Sequence, residues 1–118
     1  MKVPGVFVNA DRTQNVPSGT VVFEEGDSAE EMYGIVEGEI ELRNESGPLT
    51  RLGADDVFGE MAIVDNSPRM ATAVATKDTV LAVINRRHFL FLVQETPMFA
   101  LQVMSAMADR IRALEQPH

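Results

Sequence analysis

Short runs of apolar residues, separated by glycine, proline and acidic turn residues, follow one another between residues 20 and 84. Alternating apolar and charged side chains over residues 39–43 are typical of a strand that is exposed on one face. β-Branched and aromatic residues indicate another strand at residues 20–23. By the same criteria, strands are predicted over residues 32–36, 49–52, 57–58, 71–75 and 79–84. Many short strands with turn signals between them predict a sandwich, a jelly roll or a small barrel.

The pattern changes after residue 84, where apolar positions recur every three or four residues. Asn85 suits the N-cap of a helix over residues 86–94, and Pro97 suits the first turn of a second helix. The apolar stripe of the second helix consists of Met98, Leu101, Met104, Met107, Ile111 and Leu114. The predicted fold is therefore mainly β with flanking helices, a jelly-roll-like β-roll closed by C-terminal helices. Its predicted parts are an N-terminal lead-in over 1–15, the β-roll over 16–84 and a helical pair over 85–116.

Composition places the chain among single folded domains. It has 118 residues and a hydrophobic content of 45%, which is that of a globular protein. The absence of cysteine excludes disulfides and thiolate chemistry, and it fits a reducing compartment. The chain has no signal-peptide pattern and no apolar run that approaches a membrane span. We therefore expect a cytoplasmic domain that does not associate with a membrane.

The net charge of −8 is unfavourable for binding to the phosphates of a nucleic acid, and no cluster of lysines and arginines forms a basic binding surface. We therefore expect no nucleic acid as a partner. An acidic protein that binds an anion must use a few well-placed donors. A cupin-like enzyme is the competing assignment for a jelly-roll outline. With only two histidines, the metal-binding cluster of a cupin is missing. We expect no metal, no cofactor and no catalytic residue.

The candidate ligand-binding residues lie within residues 58–73. Gly59 permits the backbone to come close to a ligand, and free N–H groups at the start of the following helical turn attract anions. Arg69, nine residues after Glu60, supplies a planar and permanent positive charge. The stretch therefore predicts a phosphate cradle with a carboxylate beside it.

This stretch resembles the phosphate-binding cassette of the cyclic nucleotide-binding domain, a module of bacterial catabolite activators, cyclic-nucleotide-dependent kinases and cyclic-nucleotide-gated channels. The resemblance rests on Phe-Gly-Glu-Met-Ala at 58–62 and Pro-Arg-Met-Ala-Thr at 68–72. Upstream, Glu-Gly-Asp at 25–27 matches the family's turn pattern, and the likeness extends over about residues 16–112. We call residues 58–72 the cassette.

The resemblance implies a role for each matching residue. Glu60 is expected to accept a hydrogen bond from the ribose 2′-hydroxyl, Arg69 to pair with the exocyclic phosphate oxygens, and Gly59 to let the backbone approach the sugar. The resemblance also implies that backbone N–H groups near Met61, Ala62 and Ala71 face the phosphate. Ile40 and Leu49 are expected to form an apolar wall beside the base. Thr72 is expected either to contact the base or only to pack within its strand. A guanidinium–phosphate pair is short and geometrically specific. A deoxy ligand would leave the buried carboxylate without its partner.

The two charged residues also have alternative roles that are purely structural. Arg69 could pair with a surface carboxylate, and Glu60 could stabilise a helix dipole. Two positions also depart from the family's pattern. Met70 replaces the usual alanine, serine or threonine, so its thioether either crowds the phosphate or covers the base. Asp55 stands where a turn glycine is expected, and aspartate tolerates left-handed backbone better than most residues.

We therefore expect a non-enzymatic module that binds a cyclic nucleotide, with cAMP preferred over cGMP, and that acts as a sensor through an effector partner in trans. Ligand capture would order the cassette and shift the terminal helices, which requires different affinities for the two helix arrangements. A homodimer through the C-terminal helix is a further expectation. The alternative is a degenerate member, favoured by Met70, that keeps the fold as a structural or dimerisation domain without nucleotide.

Overall fold

Two four-stranded antiparallel sheets form the body of the molecule in the computed structural model, which describes residues 2–115. Within these residues the elements, in chain order, are β1 (Thr13–Val16), β2 (Val21–Phe23), β3 (Glu31–Glu37), β4 (Ile40–Asn44), β5 (Gly47–Leu52), β6 (Val57–Phe58), α1 (Met61–Val64), β7 (Thr72–Ala75), β8 (Thr79–Asn85), α2 (Arg86–Glu95) and α3 (Met98–Glu115). The predicted β-roll closed by C-terminal helices is therefore confirmed.

The strand order mixes distant parts of the chain in both sheets. One sheet runs β1-β8-β3-β6 and the other runs β2-β7-β4-β5. Their inner faces meet in an apolar core to which Ile35 and Leu81 contribute from the first sheet and Ile40 and Ala73 from the second. Burying an isoleucine or leucine side chain contributes about 1.5–3 kcal/mol, so this core holds the two sheets together.

The predicted lead-in contributes to the roll. Strand β1 pairs with β8, so the roll begins at Thr13 and not at residue 16. Phe7 is buried, its ring packs edge-on against Phe99 at a centroid distance of 6.0 Å, and it lies directly over Gly34. A Cβ at Gly34 would fall 2.5 Å from that ring. The many turn-forming residues before Val16 concealed this packing in the sequence.

The helical pair forms as predicted, but α3 buries a different face. The side chain of Asn85 accepts a hydrogen bond from His88 N at 2.8 Å and caps α2. In α3 the buried residues are Phe99, Gln102, Val103 and Ala106. Members of the predicted stripe such as Met98, Leu101 and Met104 are exposed, because Phe99 turns toward Phe7 and Phe89. Gln116, the last residue of the predicted pair, lies outside the described residues.

A buried glutamine fixes the first half of α3 to the roll. Gln102 Nε2 donates to Asp55 O at 2.6 Å, and Gln102 Oε1 accepts from Val3 N at 3.1 Å. Asp55 has the left-handed backbone expected of its glycine-like position, with φ of 70°. The second half of α3 extends along the cassette, where it forms one wall of a cavity.

Candidate functional site

The cassette is a short loop that begins where β6 ends. Gly59 follows β6 with φ of 75°, which favours glycine, and the single turn of α1 comes next, as the sequence predicted. Asn66, after α1, then takes a left-handed conformation with φ of 58°. This path returns the chain so that a Cβ at Gly59 would lie 2.7 Å from Arg69 Nη1. The two ends of the cassette are therefore in contact.

The turn after β2 holds the backbone of Arg69. Arg69 N donates to Asp27 O at 2.9 Å, and Gly26 N donates to Arg69 O at 2.8 Å. Beside this pair, Glu25 N donates to Thr72 Oγ1 at 3.0 Å. The hydroxyl of Thr72 is thus engaged by the turn, and Thr72 is not among the residues that line the cavity. Its predicted base contact stays a prediction.

The side chain of Arg69 is buried, with only 8% of the residue exposed. Its Nη1 donates to Gly59 O at 3.2 Å, and its Cζ lies 4.1 Å from the ring centroid of Phe23 and 5.6 Å from that of Tyr33. Burial lowers the pKa of the Arg69 guanidinium, which remains a cation at neutral pH. Among residues 2–115, none of the ion pairs involves Arg69. The alternative role of Arg69, a salt bridge to a surface carboxylate, is therefore not observed among these residues.

Glu60 is even more deeply buried, with 2% of the residue exposed. In the part of the chain that the structure describes, its Oε1 has no hydrogen-bond partner. The nearest cation is Arg110 of α3, whose Nε lies 3.9 Å from Glu60 Oε1. Burial raises the pKa of the Glu60 carboxyl, and the charge of Arg110 offsets part of that rise. A buried acceptor without a donor is costly and suits a ligand that brings one.

Glu60 and Arg69 line the same cavity, which the cassette, the β4–β5 hairpin and the second half of α3 enclose. The predicted site residues on its wall are Leu49, Gly59, Glu60, Met61, Ala62, Arg69, Met70 and Ala71. The other lining residues are Phe23, Leu42, Thr50, Pro68, Met107, Arg110, Ile111, Ala113 and Leu114. The cavity therefore combines a mainly apolar wall with one carboxylate and two guanidinium groups.

Ile40 does not line this cavity, although the resemblance placed it beside the base. Its side chain is fully buried in the core between the sheets, and Leu42, two residues further along the same strand, lies on the cavity wall. Alternation puts both residues on one face of β4, but it does not show how far along the strand the ligand cavity extends.

Part of α3 lines the cavity, although none of its residues was predicted to belong to the site. Three members of its apolar stripe, Met107, Ile111 and Leu114, reach the cavity together with Arg110. Their spacing of four and three residues, with two arginines between the first and the last, was the available signal. Nothing local could indicate that this half of the helix would lie on the cassette, since that depends on how α3 packs.

Residues 2–115 contain no group of three or more histidine, cysteine, aspartate or glutamate side chains that could hold a metal ion. Over the same range, no helix is long and apolar enough to cross a bilayer.

Comparisons with known proteins identify the family of this fold. A model of the cyclic nucleotide-binding domain matches residues 13–96, which include the whole cassette and end before α3. The cyclic AMP receptor protein of Thermus thermophilus is 34% identical over 101 residues, or 81% of this chain and 47% of that protein. The solved structure of the Thermus thermophilus catabolite activator protein superposes with a TM-score of 0.73 at 30% identity, covering 88% of this chain and 51% of that one.

A second solved structure is similar as well. The cAMP-bound structure of PfPKA-R (141-441) superposes with a TM-score of 0.63 at 36% identity, covering 73% of this chain and 32% of that one. The chain thus spans about half or less of the length of these relatives.

Proposed function

This chain belongs to the cyclic nucleotide-binding domain family, and we propose that it is a non-enzymatic sensor that binds a cyclic nucleotide, with cAMP preferred over cGMP. One observation carries the proposal: two buried groups of opposite charge line the same cavity, one without a hydrogen-bond donor and the other without an anion. They are Glu60, whose Oε1 lacks a donor within residues 2–115, and Arg69, which forms no ion pair within the same range.

A cyclic nucleotide would supply both a hydrogen-bond donor for Glu60 and an anion for Arg69. Its ribose 2′-hydroxyl can donate to Glu60, and its exocyclic phosphate oxygens can accept from Arg69. A bare phosphate has no use for the carboxylate, and a neutral sugar leaves the guanidinium without an anion. The combination therefore favours a ligand in which ribose and phosphate are fused.

The preference for cAMP rests on the apolar wall of the cavity. Leu42, Leu49, Ile111 and Leu114 offer surface for a base, and Thr50 supplies a hydroxyl. Guanine carries more polar atoms than adenine along its edge, and each one that is buried without a partner costs free energy. One similar protein is named for cyclic AMP and one similar structure has cAMP bound, which supports the same choice.

The output of the sensor would come from α3. Because Met107, Arg110 and Leu114 line the cavity, a ligand that contacts them changes the free energy of the docked helix. Ligand binding shifts the equilibrium only as far as the affinities for the docked and undocked arrangements differ. We propose that an effector protein in trans recognises the arrangement that the ligand selects.

Calorimetry on the purified chain tests the proposal directly. We expect saturable heat with cAMP, weaker binding of cGMP and weaker binding of 2′-deoxy-cAMP. Arg69→Ala should weaken cAMP binding by about 10- to 100-fold, the range expected for a charge-assisted hydrogen bond. Arg87→Ala, in which an exposed arginine of α2 is removed, is the matched control and should bind as the wild type does. Equal affinity of Arg69→Ala and wild type would refute the assignment of the phosphate partner.

The alternative is a degenerate domain that serves a structural role. Two observations favour it: Arg69 Nη1 is already hydrogen-bonded to Gly59 O, and the bulky Met70 and Leu114 occupy the cavity wall. An absence of heat at millimolar cAMP and cGMP would end the sensor proposal and leave this one.

A homodimer through α3 is the second part of the proposal. Leu101, Met104 and Ile111 are 50%, 61% and 55% exposed, and with Ala108 they repeat at intervals of three, four and three residues. This is the spacing of a coiled-coil seam. Sedimentation should give a dimer for the wild type and a monomer for Met104→Glu. A wild-type chain that remains monomeric at high concentration would overturn the dimer without affecting nucleotide binding.

A further inference from the structure

Three aromatic rings, one of them from the first residue of the cassette, lie close together. Tyr33 and Phe58 lie opposite each other on β3 and β6, with a centroid distance of 5.2 Å and an interplanar angle of 20°. Phe23, at the end of β2 in the other sheet, lies 6.0 Å from Tyr33 and 5.8 Å from Phe58. We call these three rings the aromatic platform. Strands of both sheets supply the aromatic platform, so its position is fixed by the packing of the β-roll.

The guanidinium of Arg69 lies over this platform. The distances of 4.1 Å to the Phe23 centroid and 5.6 Å to the Tyr33 centroid are within the reach of cation–π attraction, which extends to about 6 Å. A buried guanidinium is usually stabilised by a carboxylate, and no ion pair of that kind forms at Arg69 among residues 2–115. The charges of Glu31 and Asp27 also favour the cation, without forming an ion pair with it among the described residues. The ring faces stabilise the cation further without neutralising it.

We infer that Phe23 and Tyr33 are positioning residues, which take the place of a counter-ion and hold the Arg69 guanidinium ready for the ligand phosphate. The inference rests on the proposed function. A carboxylate at this position would compete with the phosphate, whereas an aromatic face leaves the guanidinium edge available for hydrogen bonds. Holding the group in one orientation also reduces the entropy that the ligand must remove on binding.

The segment that carries Phe23 also holds the backbone of Arg69. Phe23 immediately precedes the turn in which Gly26 N donates to Arg69 O and Asp27 O accepts from Arg69 N. A single stretch of chain therefore fixes both the main chain and the side chain of Arg69. A change in the ring at position 23 should then be felt at the guanidinium and less at more distant parts of the site.

The test measures cAMP affinity by calorimetry in Phe23→Leu, Tyr33→Leu and Tyr33→Phe. We expect Phe23→Leu and Tyr33→Leu to bind roughly 3- to 30-fold more weakly, the range that a cation–π contact supports, and Tyr33→Phe to bind nearly as the wild type does. Phe91→Leu, at an exposed position of α2, is the control for loss of a ring elsewhere. In an Arg69→Ala background, Phe23→Leu should have no further effect on affinity. A loss that persists in that background would show a merely structural role and overturn the inference.

A ligand-free readout separates this inference from the proposed function. In the folded wild type, the NMR signal of the Arg69 side-chain Nε–H should show a ring-current shift and slow exchange with water. Both features should be lost in Phe23→Leu and kept in Phe91→Leu, and an unchanged Arg69 signal in Phe23→Leu would overturn the inference. If the wild type binds cAMP and Phe23→Leu binds it equally well, only the positioning role is overturned. If the wild type binds no cyclic nucleotide, the proposed function is overturned, and the positioning role with it.

Discussion

Arg110 Nε lies 3.9 Å from Glu60 Oε1, which connects the C-terminal helix to the carboxylate that we assign to the ribose. Arg110 is further held by a hydrogen bond from its Nη2 to Val57 O at 2.7 Å. Since Arg110 belongs to α3 and Glu60 to the cassette, ligand contact at Glu60 and docking of α3 share one electrostatic interaction. This pair is the most direct physical link between the cavity and the helix.

Replacement of Arg110 should weaken nucleotide binding and loosen α3. Arg110→Met keeps a long apolar stem but removes the cation beside Glu60 and the donor to Val57 O. We expect about 10-fold weaker cAMP binding by calorimetry, or about 1.4 kcal/mol, because Glu60 loses the nearby cation that favours its ionised form, and a protonated carboxyl is a poorer acceptor for the ribose hydroxyl. Arg112→Met removes an exposed arginine that pairs with Asp109 and should change little. Equal losses in both variants would show that the effect is not specific to the Glu60 pair.

The ionisation of Glu60 should make the ligand-free protein less stable as the pH rises. Burial places the pKa of Glu60 in the folded chain above its ordinary value of 4.5. Below pH 4.5 the Glu60 carboxyl is protonated in both the folded and the unfolded chain, and the stability that depends on its protonation is fully present. As the pH rises toward the folded pKa, only the unfolded chain releases the proton, so the free energy of unfolding falls by about 1.4 kcal/mol per pH unit.

Glu60→Gln removes this titration and isolates it. Urea unfolding from pH 4 to pH 8 should show the wild type losing stability relative to Glu60→Gln as the pH increases, with the difference constant above the folded pKa. Glu95→Gln, at an exposed position of α2, should run parallel to the wild type. Parallel curves for the wild type and Glu60→Gln would contradict the raised pKa.

A side chain at Gly59 should displace Arg69, the arginine that we assign to the ligand phosphate. In Gly59→Ala the new Cβ would lie 2.7 Å from Arg69 Nη1, and alanine would have to adopt φ of 75°. We expect a stability loss of about 1–2 kcal/mol from the left-handed backbone, together with weaker cAMP binding. Gly19→Ala is the matched control, because Gly19 has φ of 90° and open space around it. It should lose stability but keep its affinity, and a Gly59→Ala protein with normal affinity would disprove the steric argument.

Gln102 should be essential for docking the first half of α3. Gln102→Leu removes the donor to Asp55 O and the acceptor for Val3 N, leaving both backbone groups without their partner. Each such loss costs about 1–3 kcal/mol, which urea unfolding can measure. Gln94→Leu, at an exposed position of α2, should change stability by less than about 0.5 kcal/mol. Similar midpoints for the two variants would rule out a structural role for the buried amide.

The sequence by itself determined most of the elements, with the exception of β1, and the residue types of the candidate site in the cassette. Strand alternation, turn residues and the Asn85 cap are local signals, and each corresponds to an element of the structure. Gly59, Glu60 and Arg69 are close together in the chain, so their types and spacing could indicate a phosphate cradle before any packing was known. Even the left-handed conformation of Asp55 was predictable, because it depends on a single residue in a turn.

Only the tertiary structure decided which distant residues complete the site. Phe23 comes under Arg69 through the pairing of β2 and β7, and Arg110 reaches Glu60 because the face of α3 that carries Phe99 packs on the roll. A period of three and four residues shows that a helix has an apolar side, but the choice among several apolar faces depends on the surface it meets. Contacts between residues far apart in the chain arise from that packing, which no local pattern encodes.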